Sequence, residues 1–363
     1  MSDHIAAVAQ AQRTEKGLRY EKNMERLQNL IVAGGPKAKA LRDEVMRVKA
    51  VGVENVYTIK TLQSMSVQYA NDEYIGDRLM PMVNAGPQPT GTYFIYDKRS
   101  RLAYPSDDLA DRGMANEIDD SRSTASFACV DRGLSNSVSK RVVDAQDAPL
   151  NELIDLTEAI NEGLALKREQ RQATIFCTAG NYGGNTGAIA AGNRWDSAGG
   201  GSPVKDIQTA LKGLWQGRGP SKKVGFCSRD VWDVLARHQE ILDLFKYNGS
   251  SPGLATPAML AGWFGLDTIL VGDARQDTAN SGQTVSYSRI WSDVFGVVRV
   301  AMRPTIRNAS FAYRFLVDGA PKATQWYDQR PGLDGRYYAK VAVSEDMKVV
   351  AADTGWLITT PIG

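Results

Sequence analysis

The chain has 363 residues, 43% of them hydrophobic and 23% charged, which is ordinary globular composition over a length that exceeds one core. A formal net charge of +2 excludes the basic excess of a dedicated nucleic-acid reader, though not weak contact with packed nucleic acid. No apolar run is long enough for a bilayer, and the first twenty residues lack the order of a signal peptide.

Residues 1–50 read as a charged helical arm. Leu18, Leu27, Leu30 and Ile31 share an apolar face, which Gly34, Gly35 and Pro36 break. A second short helix is expected over 37–49. Ten Lys or Arg stand against six Asp or Glu in the first fifty residues. A solvated arm fits this, and so does one that packs on a neighbour or faces an anionic interior.

Residues 71–83, NDEYIGDRLMPMV, form a short mixed segment ended by Pro81. Pro87 and Pro89 stiffen a turn between glycines. Residues 92–98, TYFIYDK, have the aromatic and β-branched content of a strand, and strand character resumes at 124–130, TASFACV. Between them lie Arg99, Arg101, Asp107, Asp108, Asp111, Arg112, Glu117, Asp119, Asp120 and Arg122, with few apolar residues and no period. So long a charged hairpin is not stable alone and makes sense if another chain covers it. A disordered surface loop is the alternative.

Residues 149–177, PLNELIDLTEAINEGLALKREQRQATIFC, predict one long helix. Leu150, Leu153, Ile154, Thr157, Ile160 and Leu164 recur at three- and four-residue steps. Acids lie early and bases late, complementing the backbone dipole, and Pro149 suits a first helical position. A long helix with one apolar stripe needs a partner along its length. It is either a core helix of an enzyme or a spine carrying separate layers, and the order of the other segments favours the spine.

Residues 178–201 are rich in Gly, Asn and Ala. They lack the Gly-Lys-Ser/Thr of a phosphate loop, so a flexible or turn-rich connection is expected. A compact α/β lobe follows. Ser202 and Pro203 open a helix with Val204, Ile207, Leu211 and Leu214 inward, residues 223–227 read as a buried strand, and Ser228 caps a helix running to residue 247. Thr256 and Pro257 open a third helix, residues 268–271 form a short strand, and 273–283 a polar loop. From residue 285 the chain turns to strands. Phe311, Tyr313, Phe315 and Val317 alternate as in a half-buried strand. Residues 335–343 and 347–353 read as a hairpin turning at Ser344, Glu345 and Asp346. These late strands are expected beside the spine, with the 202–300 lobe as an insertion.

No catalytic, cofactor-binding or metal constellation emerges. Cys129, Cys177 and Cys227 form no CxxC pair and suggest reduced thiols. His238 reads as a partly exposed helix residue, and no second histidine is near to share a metal. Ser228, Asp230 and His238 hold the atoms of a triad without the G-x-S-x-G elbow.

Arm, extended hairpin, long helix, inserted α/β lobe and returning strands, in this order, resemble the major capsid protein of tailed double-stranded-DNA bacteriophages, a fold shared with encapsulins and the herpesvirus capsid floor. The resemblance covers about residues 71–363. It rests on NDEYIGDRLMPMV before TGTYFIYDK, on DAPLNELIDLTEAINEGLALKREQ, on WDSAGGGSPVKDIQTAL, on SRDVWDVLARHQEILDLFKY and on the tail EDMKVVAADTGWLITTP. It implies an α+β fold with an arm (1–70), a lead-in (71–90) and an extended hairpin loop (91–142) reaching over an adjacent subunit. A peripheral domain would hold the spine helix and connection (143–201) and the returning strands (301–363), and an axial α/β domain would span 202–300. The charged residues of the loop, with Lys98, are the implied intersubunit contacts. Some members of the family cross-link covalently through a hairpin lysine; Lys98 has the position only, and cross-linking is not expected.

The implied function is a shell of hexamers and pentamers around packaged double-stranded DNA. Its partners would be other copies, portal, scaffold and decoration proteins, with weak DNA contact and no membrane. The implied place is the virion capsid, assembled in the host cytoplasm. An encapsulin-like compartment and a soluble α/β ligand-binding enzyme are the alternatives.

Overall fold

The computed structural model describes residues 74–96, 104–109, 111, 113–118, 122–145, 152–197, 200–217, 219–246, 255–280, 282–284, 286–304 and 308–363. The arm, Leu150 and Pro149 lie outside these residues, as does the stretch 97–103.

Two five-stranded sheets and one long helix organise the described residues. In the first sheet β1 (Met82–Gly86) pairs in parallel with β11 (Ala312–Val317), and β11 pairs antiparallel with β13 (Arg336–Val349). β12 (Lys322–Asp328) continues the same edge of β13, and β4 (Val130–Ser139) covers its opposite edge. The second sheet runs β5 (Thr186–Ala188), β14 (Gly355–Thr359), β10 (Val294–Ala301), β6 (Ser221–Ser228), β7 (Thr268–Gly272). A hairpin of β2 (Thr90–Tyr96) and β3 (Arg122–Ala128) stands apart, and β8 (Arg275–Asp277), within the expected polar loop, pairs with β9 (Tyr287–Arg289) in a small second hairpin.

The helices are α1 (Gly76–Leu79), α2 (Lys140–Ala145), the spine α3 (Glu152–Cys177), α4 (Pro203–Gly213), α5 (Arg229–Arg237), α6 (Gln239–Phe245) and α7 (Pro257–Phe264). The first half of α3 lays Leu156 and Ile160 against Ala339 and Val341 of β13. Its buried face differs from the predicted stripe: Leu153 and Ile154 are half-buried, and Glu169, Gln172, Ala173 and Phe176 continue the face past Leu164. The apolar period ends at Leu164 because two of the later buried positions are polar and hydrogen-bonded.

The second sheet is a wall between two cores. Phe295 and Val297 of β10 face α4, α5, α6 and α7, while Val294, Val298 and Val300 face the end of the spine. Neighbouring strands divide the same way, Ile269 against Leu270 and Ile358 against Leu357. A sheet covered on both faces reads as continuous apolar runs, as residues 294–301 do. The core at the spine end also takes Ile75 and Leu79 of the lead-in and Phe311 and Ala312 of the first sheet.

Four local expectations change. The predicted hairpin at 344–346 is one unbroken strand, because Glu345 pairs on both edges and is buried against arginines. β11 is buried on both faces, since the hairpin β2–β3 covers one face and the spine end the other. β14 joins the second sheet, so the returning strands do not all lie beside the spine. The helix after Ser228 breaks at His238, whose extended backbone ends α5 and caps α6.

The connection after the spine is turn-rich. Tyr182 is fully buried, donates to the Phe176 carbonyl at 2.6 Å and stacks on Phe311. β5 then adds an edge to β14.

Candidate assembly surfaces

A polar junction fastens the lead-in to the spine and the first sheet. Glu169 of α3 accepts from the backbone N–H groups of Ile75 and Gly76 and from Trp291 Nε1 at 2.8 Å. Burial pushes its carboxyl up from the usual range, against these three donors. Asp77 of α1 receives Arg168 of the spine and Arg314 of β11, each at 3.1 Å, and Gln172 Nε2 at 2.9 Å. Glu345, 1% exposed, takes Arg171 at 2.6 Å and Arg314 at 3.0 Å. Burial pulls the Arg171 guanidinium down, and Glu345 opposes that shift. The late bases of the helix therefore do more than complement its dipole: two of them neutralise carboxylates on other elements.

Among the described residues, the hairpin β2–β3 is anchored chiefly near its root. Phe127 stacks on Phe315 with centroids 4.4 Å apart and planes 4° from parallel, and Tyr93 stacks on the same ring. Gly91 faces Phe127 so closely that a Cβ there would stand about 2.5 Å from the ring. Ala128 N–H donates to Asp346, and Cys129 follows. Burial and the nearby Asp346 push the Cys129 thiol and the Tyr93 phenol up.

Beyond the root, residues 104–109, 111 and 113–118 form no regular structure and are all exposed. This places Asp107, Asp108, Asp111 and Glu117 on one solvent-facing loop. Asp108 is fixed by Ser106, and Asn116 Nδ2 donates to the Ser106 carbonyl at 2.8 Å. Arg122 is exposed at the start of β3. Lys98, Arg99, Arg101, Arg112, Asp119 and Asp120 lie outside the described residues. Within the stretch expected to form the hairpin loop, β4 pairs along ten residues of β13 in the first sheet.

The residues with triad atoms serve separate local ends. Ser228 Oγ accepts from Val231 N–H, capping α5, and donates to Asp293 at 2.9 Å. Asp230 binds Arg289 at 2.8 Å. His238 Nδ1 accepts from Glu240 N–H. Ser202, the expected side-chain cap of α4, instead donates to Glu240 at 2.8 Å. Among the described residues no group of three His, Cys, Asp or Glu is arranged to hold a metal ion.

Two further surfaces have no counterpart in the sequence reading. Met259 and Trp263, one turn apart on α7, are 41% and 40% exposed. At the far end of β12–β13, Trp326 stacks on Tyr338 at 5.3 Å, Tyr327 packs on Tyr337, and Lys140 stands 5.9 Å over the Tyr327 ring. The two adjacent aromatic pairs, Trp326–Tyr327 and Tyr337–Tyr338, were the available signal.

No family model matches the chain. The major capsid protein of Pseudomonas phage JBD67 is 25% identical over 316 residues, spanning 83% of this chain and 96% of that protein. The major capsid protein of Burkholderia phage BcepMu is 24% identical over 217 residues, spanning 59% of this chain and 68% of that protein. A phage-related protein of Bordetella bronchiseptica RB50 superposes with a TM-score of 0.64 at 20% identity, covering 84% of this chain and 97% of that one. A chain in the capsid structure of cyanophage P-SCSP1u superposes with a TM-score of 0.51 at 10% identity, covering 77% of this chain and 86% of that one. The chain is thus similar in sequence to phage major capsid proteins and shares the fold of a phage capsid, which supports a structural role in the virion capsid.

Proposed function

We propose that copies of this chain associate as hexamers and pentamers into an icosahedral shell around packaged double-stranded DNA, assembled in the host cytoplasm. In this reading the second sheet with α4 to α7 is the axial domain and groups subunits about the capsomer axes. The spine with the first sheet is the peripheral domain. The hairpin and its loop reach over an adjacent subunit. Portal, scaffold and decoration proteins complete the particle.

The observation that carries this reading is the loop over residues 104–118. Leu109, Met114 and Ile118 are 63%, 94% and 60% exposed on a segment with no core of its own. Apolar exposure of this kind is removed by a partner surface. The encapsulin reading is not favoured, because the sequence relatives are phage proteins. The test is expression of the full chain followed by size-exclusion chromatography and negative-stain microscopy. Closed particles with six- and five-fold clusters are expected; a chain that stays monomeric at high concentration refutes the proposal. Monomer-sized bands from denatured particles exclude covalent linkage through Lys98.

A further inference from the structure

The loop and the end of the β12–β13 hairpin are matched in charge and in exposed apolar content. Residues 104–120 contain six Asp or Glu and one Arg, together with the exposed Tyr104, Leu109, Met114 and Ile118. Among the described residues, no hydrogen bond or ion pair joins this loop to the body of the chain.

The hairpin end is the opposite. Residues 320–340 hold four Lys or Arg against two Asp, and α2 adds Lys140 and Arg141. Among the described residues, Arg330 is answered by Asp328, Arg141 by Asp334 and Lys322 by Asp318, which leaves Arg336, Lys340 and Lys140 outside any ion pair. The apolar part is Leu333, 82% exposed at the turn, with Trp326 and Tyr327 at 39% and 41%.

The two surfaces belong to opposite ends of one ladder. β3 leads through Cys129 into β4, whose Val130 pairs Glu345 and whose Ser139 pairs Arg336. The root of the β2–β3 hairpin is therefore about 30 Å from the β12–β13 turn, at about 3.3 Å per residue. A second copy brings loop and turn together without bending the hairpin back.

We infer that the acidic loop of one copy docks on the basic, aromatic end of the β12–β13 hairpin of a second copy. This rests on the shell reading and names the surface that the loop covers. Acids seat beside Arg336 and Lys140, and the loop's apolar side chains cover Leu333 and Trp326. The charges select the partner and its register, while the apolar contact supplies burial.

The test uses full-length chain scored for particle yield by microscopy and sedimentation. Reversal of the loop (Asp107→Lys, Asp108→Lys, Asp111→Lys) and reversal of the turn (Lys140→Glu, Arg336→Glu) are each expected to lower the yield by about tenfold or more. Combining both sets restores it. Four of the five residues are exposed and Lys140 is half-buried, and circular dichroism checks that each variant folds. Unchanged yield in either single set, or no restoration in the combined set, overturns the inference while wild-type particles leave the shell reading standing. A wild-type chain that never associates overturns both. If the turn variant instead loses binding to a short DNA duplex and assembles normally, the basic end serves nucleic acid and the inference fails. As a second measure, Met114→Cys with Leu333→Cys is expected to give a ladder of disulfide-linked subunits in oxidised particles. Neither single variant gives one, and absence of the ladder in the double variant counts against docking.

Discussion

Arg314 on β11 and Glu345 on β13 are diagonal neighbours in the sheet, 3.0 Å apart, and both are nearly withdrawn from solvent. Each also holds a second charge, Asp77 for Arg314 and Arg171 for Glu345. Removing one partner of such a pair strands the others in a low-dielectric site. Glu345→Ala is expected to cost about 3–5 kcal/mol. Urea unfolding followed by circular dichroism measures this. The double variant Glu345→Leu, Arg314→Met should lose less than Glu345→Ala, because no unpaired carboxylate or β11 guanidinium is left behind.

Glu169 gives the chain a pH dependence of defined sign. Burial raises its folded-state pKa, so the folded chain holds this proton more tightly than the unfolded chain does. Its contribution is most favourable in acid and is lost as pH rises from the ordinary carboxylate range through the raised pKa. Glu169→Gln fixes a neutral side chain that still accepts from Ile75, Gly76 and Trp291. The stability of wild type relative to Glu169→Gln should therefore fall between pH 4 and pH 7. Urea midpoints of both proteins across that range decide it, and a relative stability that rises with pH would contradict the assignment.

The hairpin root depends on one close approach. Gly91→Ala puts a methyl group against the Phe127 ring, which cannot retreat without leaving Phe315. Such overpacking is expected to cost about 1–3 kcal/mol. The readout is local: limited proteolysis should cut residues 97–121 faster in Gly91→Ala and in Phe127→Ala than in wild type, with the two sheets still folded.

Ser228 ends β6 and starts α5 through one hydroxyl that both accepts from Val231 N–H and donates to Asp293. Ser228→Ala is expected to lower stability by about 0.5–2 kcal/mol. Thermal unfolding of the variant beside Thr256→Ala, which removes the side-chain cap of α7, separates a general capping loss from the added Asp293 bond.

The elements that sequence made legible are those where one physical signal dominates. The spine stood out by its length and its freedom from proline. α7 was opened by Thr256 and Pro257, and the structure ends it at Gly265, whose φ of 67° suits a helix end. The strands β2 and β3 showed their aromatic and β-branched content. What failed was the reading of polar residues in buried places. Ser344, Glu345 and Asp346 have turn composition, but Glu345 is held inside by two arginines from elements far away in sequence. Glu169 and Gln172 broke the apolar stripe for the same reason. A continuous helix through His238 was expected from composition, and the backbone breaks there so that α6 can turn against α4 and receive its own cap. The acidic loop was legible as a segment without a core; the basic aromatic end of β12–β13 was not, because its residues come from two strands and a helix.

The chain passes between its two sheets three times, along the spine, from β10 to β11, and from β13 to β14. A tug on one sheet is thus shared among three tethers rather than concentrated at a single hinge. In the proposed shell, load on one sheet would reach the other through three covalent connections, the last of which ends in β14, paired with β10 and β5 of the second sheet.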